Sequence, residues 1–441
     1  MSAIQKGNTW NEHSFKEVED YVTERLDSIE DRLNELDWCD ALTIEATEDN
    51  TSLAWWLPDN QEILDDHSVT IQVSRDGGRT WTNVQSGDPR NVNYNIGTLN
   101  AGEKVIVKGN GPTGFVDQGG DYGNYFFANK PCYVYGNVMS LLYGADYASR
   151  KGISDPSALA YLFAGNDGSS TTWVLSKPQY PIILPATTLA NSCYEGMFNG
   201  CTSLAAAPAL PATTLAENCY YRMFYNCTSL TTAPALPATT LADFCYVNMF
   251  YNCTSLTAAP ALPATTLANS CYVNMFYGCT ALASAPELPA TTLQQSSYAN
   301  MFSGCTALTT APELPATSLA NNCYSNMFKG CTSLTAAPEL PAATLGTRCY
   351  VSMFSGCTSL ATAPELPATT LAGSCYQQMF QGCTSLASVK CLASAVSPYS
   401  AVSNWLYNVS ATGTFTKAAG VTWPEGASGI PSGWTVVEAS S

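Results

Sequence analysis

The chain has 441 residues, of which 12% are charged and 46% hydrophobic, and its formal net charge is -17. That length exceeds one ordinary core and points to two or three domains or one elongated array. The apolar content excludes sustained disorder, and the negative charge repels phosphate backbones, so no nucleic acid partner is expected.

The first residues, MSAIQKGNTWNEHSFKEVED, lack the basic start, apolar core and small-residue cleavage site of a secretory signal. No run of eighteen apolar residues occurs, so membrane insertion is not expected. The expectation is either a removed leader or a cytoplasmic protein that leaves by other means, as part of a virus particle would.

Residues 14 to 37 are rich in Glu, Arg and Leu and free of Gly and Pro, which predicts a helix. Phe15, Val22, Ile29 and Leu36 fall seven apart, with Leu26 and Leu33 at the second seam position and Glu19 interrupting the first heptad. So short a stripe is marginal alone, and residues 1–37 read as an attachment or oligomerisation segment that pairs with its own copies or docks on a partner. The alternative is an amphipathic helix packed on its own domain.

Over 38–135 the pattern changes to short strands, among them ALTIEA, SLAWWL, SVTIQVS and EKVIVKG, separated by turn clusters such as EDN and DGG. This predicts a small immunoglobulin- or fibronectin-like β-sandwich. SRDGGRTW at 74–81 fits the Asp-box of sialidases, but a single copy is a hairpin turn and carries no catalysis. GNGPTG at 109–114 matches a dinucleotide fingerprint by letters alone, since Pro112 interrupts it and no helix follows. Residues 136–183 form a transition and N-terminal cap, in which YLFAGNDGSS echoes the later MFNGCTSL.

A repeat of 26 residues fills 184–410, marked by Met197, Met223, Met249, Met275, Met301, Met327, Met353 and Met379, each followed by Phe. Trp405 stands one period after Met379, and 411–441 should cover the last open coil. Periods of this size with recurring Leu belong to leucine-rich solenoids. Leu204 and Leu210 bracket the strand side, and Cys193, Met197 and Cys201, spaced by four, predict a short helical segment facing inward. Each repeated letter then builds a column of identical side chains through a shared core. The expected fold is mixed α/β: an N-terminal helix, a sandwich and a solenoid.

Two columns are cysteine. The second, Cys201 to Cys383, is complete, while the first holds Ser297 in the fifth copy, which would orphan Cys305 were each pair bonded. Reduced, buried thiols are the favoured reading and inter-coil disulfides the alternative. Zinc is disfavoured because no C-x-x-C occurs and the His are His13 and His67; no metal or cofactor is expected.

The unit MFxGCTSL, with Cys201, Thr202, Ser203 and Leu204 and their later equivalents, resembles the BspA-like leucine-rich repeats of bacterial surface adhesins and phage proteins. The resemblance covers roughly 184–410. It implies a solenoid that binds proteins or surfaces without catalysis. The layout of helix, sandwich and solenoid is also similar to that of phage fibre proteins.

Two surface columns stand out. Glu287, Glu313, Glu339 and Glu365 follow Ala209, Ala235 and Ala261 in one column, forming an acidic strip that is either plainly solvated or holds a cation or basic partner. Tyr225, Tyr251 and Tyr277 align in three adjacent copies, with Tyr221, Arg222 and Phe244 nearby. This set is either an interface or a stack shielding the core. The function expected is a non-enzymatic adhesive protein of a virus particle that binds a host surface receptor, protein or glycan, alongside other virion proteins. The alternative is a bacterial surface adhesin, and a carbohydrate-active enzyme is remote because no acid, base and His set is present.

Overall fold

The computed structural model describes residues 16, 19–23, 25, 40–56, 69–87, 94–109, 124–164, 170–396 and 398–440. Of the heptad positions it describes Val22, which is helical and 47% exposed. Phe15, Leu26, Ile29, Leu33 and Leu36 lie outside the described residues, as does GNGPTG beyond Gly109.

The front module is built from β1 (Thr43–Ala46), β2 (Thr51–Trp56), β3 (Thr70–Ser74), β4 (Thr82–Gln85), β5 (Gly97–Leu99), β6 (Lys104–Gly109), β7 (Tyr125–Ala128) and β8 (Cys132–Asn137). Strands pair antiparallel in the orders β8-β1-β6-β3-β4 and β5-β2-β7. Alternation decides which side is buried: in β6, Val105 and Val107 point inward while Lys104, Ile106 and Lys108 point out. Inward residues of both sheets, including Ile44, Ile71 and Val107 from one and Leu53, Trp55 and Phe126 from the other, belong to one core. The Asp-box closes the β3–β4 hairpin on itself. Asp76 accepts from the Thr80 amide at 2.9 Å, Ser74 Oγ donates to it at 2.7 Å, and Trp81 Nε1 donates to the Gly78 carbonyl at 2.8 Å.

The helix α1 (Met139–Tyr143) buries Met139, Leu141 and Leu142 over the end of this core. The short strands β9 (Val174–Ser176) and β10 (Ile182–Ile183) then add parallel to β8, so the sandwich sheet runs on into the array. The aromatic core is continuous as well. Phe126 lies 6.1 Å from Phe163 between ring centroids, and Phe163 lies 5.4 Å from Phe198, the first Phe of the repeat column.

Within each coil the predicted helical segment is absent, and a ribbon of overlapping turns takes its place. The N–H groups of Cys193, Glu195, Met197, Asn199 and Cys201 donate three residues back, to the carbonyls of Ala190, Ser192, Tyr194, Gly196 and Phe198. The alternate N–H groups of Ser192, Tyr194, Gly196, Phe198 and Gly200 donate to Glu217, Cys219, Tyr221, Met223 and Tyr225 of the next coil. Every second peptide is therefore spoken for by a neighbouring coil, and no α-helix can form. Ser192, Gly196 and Gly200 adopt positive φ, and so do the equivalent residues of later coils, as the third residue of a type II turn requires. Gly196 is needed for a second reason: a Cβ there would collide with the Tyr161 ring. The spacing of four that suggested a helix is the period of this ribbon. It puts Cys193, Tyr194, Met197, Phe198 and Cys201 inside, none more than 1% exposed.

The columns stack as the repeat demands. Successive Phe rings from Phe198 to Phe380 lie 5.5 to 5.7 Å apart, and Met275 and Met301 accept from the N–H of Phe250 and Phe276 one coil earlier. On the opposite side, the strand line is a single bridged residue per coil through Ala206, Thr232, Ala258, Ser284, Thr310 and Ala336. Pro208 and its equivalents lie two residues on and carry no N–H, so the ladder stops there. Where Pro disappears, strands lengthen: β12 (Ser388–Cys391), β13 (Gly413–Lys417) and β14 (Trp434–Glu438) pair in unbroken parallel register. The preceding β11 (Thr362–Leu366), which contains Pro364, pairs with β12 through a register shift. Trp405 closes the aromatic columns, stacked 6.2 Å from Tyr376 and 5.3 Å from Trp423, with its Nε1 donating to Gly429 at 2.8 Å.

All cysteines among the described residues are unbonded and buried. The two columns differ in chemistry. Each second-column thiol donates to the Phe carbonyl of the preceding coil, as from Cys227 to Phe198 at 3.1 Å and Cys383 to Phe354 at 2.9 Å. Ser297, in the first column, has a fully buried hydroxyl without a hydrogen-bond partner. An unmade buried bond is destabilising, so Ser297→Cys should raise unfolding free energy by about 1 kcal/mol, read from the urea midpoint. Burial also pushes the thiols up, to about 12 for Cys219, Cys271 and Cys279. The unfolded chain loses these protons above about pH 9 and the folded chain does not, so stability should be flat below that pH. Between about pH 9 and 12 it should fall, by up to about 1.4 kcal/mol per pH unit for each buried thiol; urea midpoints at pH 8 and pH 10 measure the effect.

Candidate recognition surface

The ribbon turns two positions of every four inward, which leaves the columns of Ser192, Glu195, Gly196, Asn199 and Gly200 off the core face. Four of them vary widely from coil to coil: the positions of Ser192, Glu195, Gly196 and Asn199. In the last of these stand Tyr225, Tyr251 and Tyr277, all half-buried, with Ser303, Lys329, Ser355 and Gln381 beyond. Their rings are stacked face to face, 4.7 Å from Tyr225 to Tyr251 and 4.6 Å from Tyr251 to Tyr277. This is tighter than the core Phe column.

Arg222 lies against one end of the stack. Its guanidinium carbon is 5.0 Å from the Tyr221 ring centroid and 5.5 Å from that of Tyr225. Arg222 and Phe244 both occupy ribbon positions of positive φ, 54° and 58°. The same columns elsewhere hold mostly Gly, Asn and Ser, among them Asn248, Asn274, Asn300 and Asn326 for Arg222 and Ser270, Ser296 and Ser374 for Phe244, with Gln378 and Arg348 as bulky exceptions on coils without the ladder. Holding a bulky residue left-handed costs about 1–2 kcal/mol. Phe244 is 38% exposed, and among the described residues no ring contact joins it to the Tyr stack.

Glu287, Glu313, Glu339 and Glu365 are all exposed. They sit beyond the strand line, on a different part of the coil from the Tyr ladder. Glu365 pairs with Lys390 at 2.8 Å, one coil on. Among the described residues no group of His, Cys, Asp or Glu is placed to hold a metal ion, and no helix is long and apolar enough to cross a membrane.

The family model for the BspA type leucine rich repeat region matches residues 182–309 and 298–400, in 6 copies. These coils are BspA-type leucine-rich repeats. Among curated proteins, a search finds no match to the chain. The BspA-type letters account for the interior columns and are silent on the Tyr ladder, which three copies carry and the others do not.

One further cluster escaped sequence reading. A cleft of about 720 Å³ opens where the sandwich meets the array, lined in part by Glu45, Arg75, Lys104, Tyr135, Lys177 and Tyr180. Lys177 Nζ pairs with Glu45 at 2.6 Å, the Tyr135 hydroxyl donates to the same carboxylate at 2.8 Å, and the rings of Tyr133, Tyr135 and Tyr180 lie 5.1 to 5.5 Å from the ammonium. Burial alone would push the Glu45 carboxyl up. The bonds from Lys177 and Tyr135, with the charge of Lys177, outweigh it and hold the group below its ordinary value. These partners stand 132 and 90 residues from Glu45 in the chain, so no local pattern announces them.

Proposed function

We propose that the chain is a non-enzymatic recognition protein whose BspA-type coils present the Tyr ladder, Arg222 and Phe244 to a receptor on a cell surface. One observation carries this reading: Tyr225, Tyr251 and Tyr277 form a half-buried stack across three adjacent coils, and Arg222 is held against its end at a left-handed position that Asn fills in four later coils. In its finer form the protein is a fibre or receptor-binding protein of a virus particle, with an immunoglobulin-like spacer behind the array. The order of segments supports that form. A bacterial cell-surface adhesin is the second reading, favoured by the kinship of the repeats, which resemble those of such adhesins.

The attachment role is tested with cells that bind the full chain. Tyr251→Ser copies the residue that coils five and seven use at this position, Ser303 and Ser355, so it should leave folding intact. Attachment should weaken about tenfold, the loss of about 1.4 kcal/mol typical of an aromatic anchor; unchanged attachment would remove the ladder from the site. Assembly through residues 1–37 is also part of this proposal, and Val22 of the stripe is exposed in the single chain. Solution mass should fall from an oligomer to a monomer when 1–37 are deleted, and identical masses would end the idea.

A further inference from the structure

We infer that the Tyr ladder and Arg222 form a binding site for an anionic saccharide, with Arg222 receiving its carboxylate or phosphate. The inference rests on the recognition reading and names the ligand class it would take.

Arg222 is half-buried, and its Nε is buried without a hydrogen-bond partner. Among the described residues no carboxylate lies within ion-pair distance of it, in a chain whose formal charge is -17. Glu195, one coil earlier, accepts from the Tyr161 hydroxyl at 3.3 Å. The guanidinium lies beside the rings of Tyr221 and Tyr225, its carbon 5.0 and 5.5 Å from their centroids. A planar fork of donors with no internal acceptor fits the paired oxygens of a carboxylate or phosphate. The acidic column also begins only at Glu287, and the coils before it place Ala209, Ala235 and Ala261 there, which keeps that column's charge away from an incoming anion.

The ladder supplies the rest of the site. Tyr225 and Tyr251 cover each other's faces and present edges. The outer face of Tyr277 meets no ring, since Ser303 holds the column in the next coil. A sugar ring can lay its apolar face on that open ring, as amphipathic ligands do on aromatic surfaces. The row of Tyr positions repeats every 4.6 to 4.7 Å, comparable with the length of one sugar unit, so an extended chain can place an acidic group at Arg222 and a ring at Tyr277.

The test uses the full chain and four probes: an oligogalacturonate, a phosphorylated dextran, neutral dextran and polyglutamate. Binding of the first or the second, weakening as salt rises, is expected, and which of them binds separates a carboxylate source from a phosphate source. Arg222→Asn installs the residue that four other coils hold at this column. It should weaken that binding at least tenfold while raising the thermal midpoint, because it relieves the left-handed strain. Tyr277→Ser should weaken binding. Equal capture of dextran, capture of polyglutamate alone, no capture of either anionic probe, or undiminished binding by Arg222→Asn overturns the inference. So does a lowered thermal midpoint in that variant, which would make Arg222 a structural residue. If Arg222→Asn abolishes cell attachment but not saccharide binding, the recognition surface stands and the anionic ligand falls.

Discussion

The structure depends on a division of labour among peptide groups. Along the ribbon, odd-numbered N–H groups from Cys193 to Cys201 close turns within the coil, and even-numbered ones from Ser192 to Gly200 reach the next coil. A coil taken alone leaves half of these donors unmade, at a cost comparable to its whole share of stability. Each coil must therefore match its neighbour in length, which is why the period holds at 26 through the copies from Met197 to Met379. The interior follows from the same rule, because identical lengths bring identical side chains into register and let Tyr and Phe stack in parallel columns.

Stability in such an array is shared between neighbours and accumulates along the axis. That makes the two ends decisive, and both are sealed by aromatic rings. At the front, Phe163 carries the Phe column into the sandwich through Phe126, and β9 and β10 continue the sheet from β8. At the back, Trp405 ends the columns between Tyr376 and Trp423, while β14 closes the parallel sheet with Trp434 donating to Ser410. Sandwich and array therefore share one core, and the Glu45–Lys177 pair reinforces the joint from outside.

The interior of the array was legible in the letters because each inward column repeats one residue type. The buried state of the thiols and the stacking of the Met, Phe and Tyr columns follow from that repetition. The secondary structure of the same residues was not legible from Cys193, Met197 and Cys201, since spacing by four fits a helix and a ribbon of turns equally. A finer cue was present: Asn or Gly at every fourth position, as in Asn248 and Asn252 or Asn274 and Gly278, marks left-handed backbone that no helix contains. The strand side was placed correctly between Leu204 and Leu210, although Pro208 reduces it to one bridged residue. The joint with the sandwich was invisible because its partners are far apart in sequence. At the Tyr ladder the alignment of Tyr225, Tyr251 and Tyr277 could be read directly. The strain at Arg222 and Phe244 could not, because it depends on a φ value that only the fold reveals.

The ribbon sorts its outward positions into two kinds. Columns such as those of Glu195 and Asn199 have ordinary backbone and admit Tyr, Val, Ser, Lys or Gln without disturbing a coil, whereas the columns of Ser192, Gly196 and Gly200 are left-handed, which favours Gly, Asn and Ser and makes Arg222, Phe244, Arg348 and Gln378 exceptions. Side chains in the ordinary columns can thus be rewritten without a change of backbone, and each added coil brings two more such positions. The scaffold separates what must be inherited from what is free to drift.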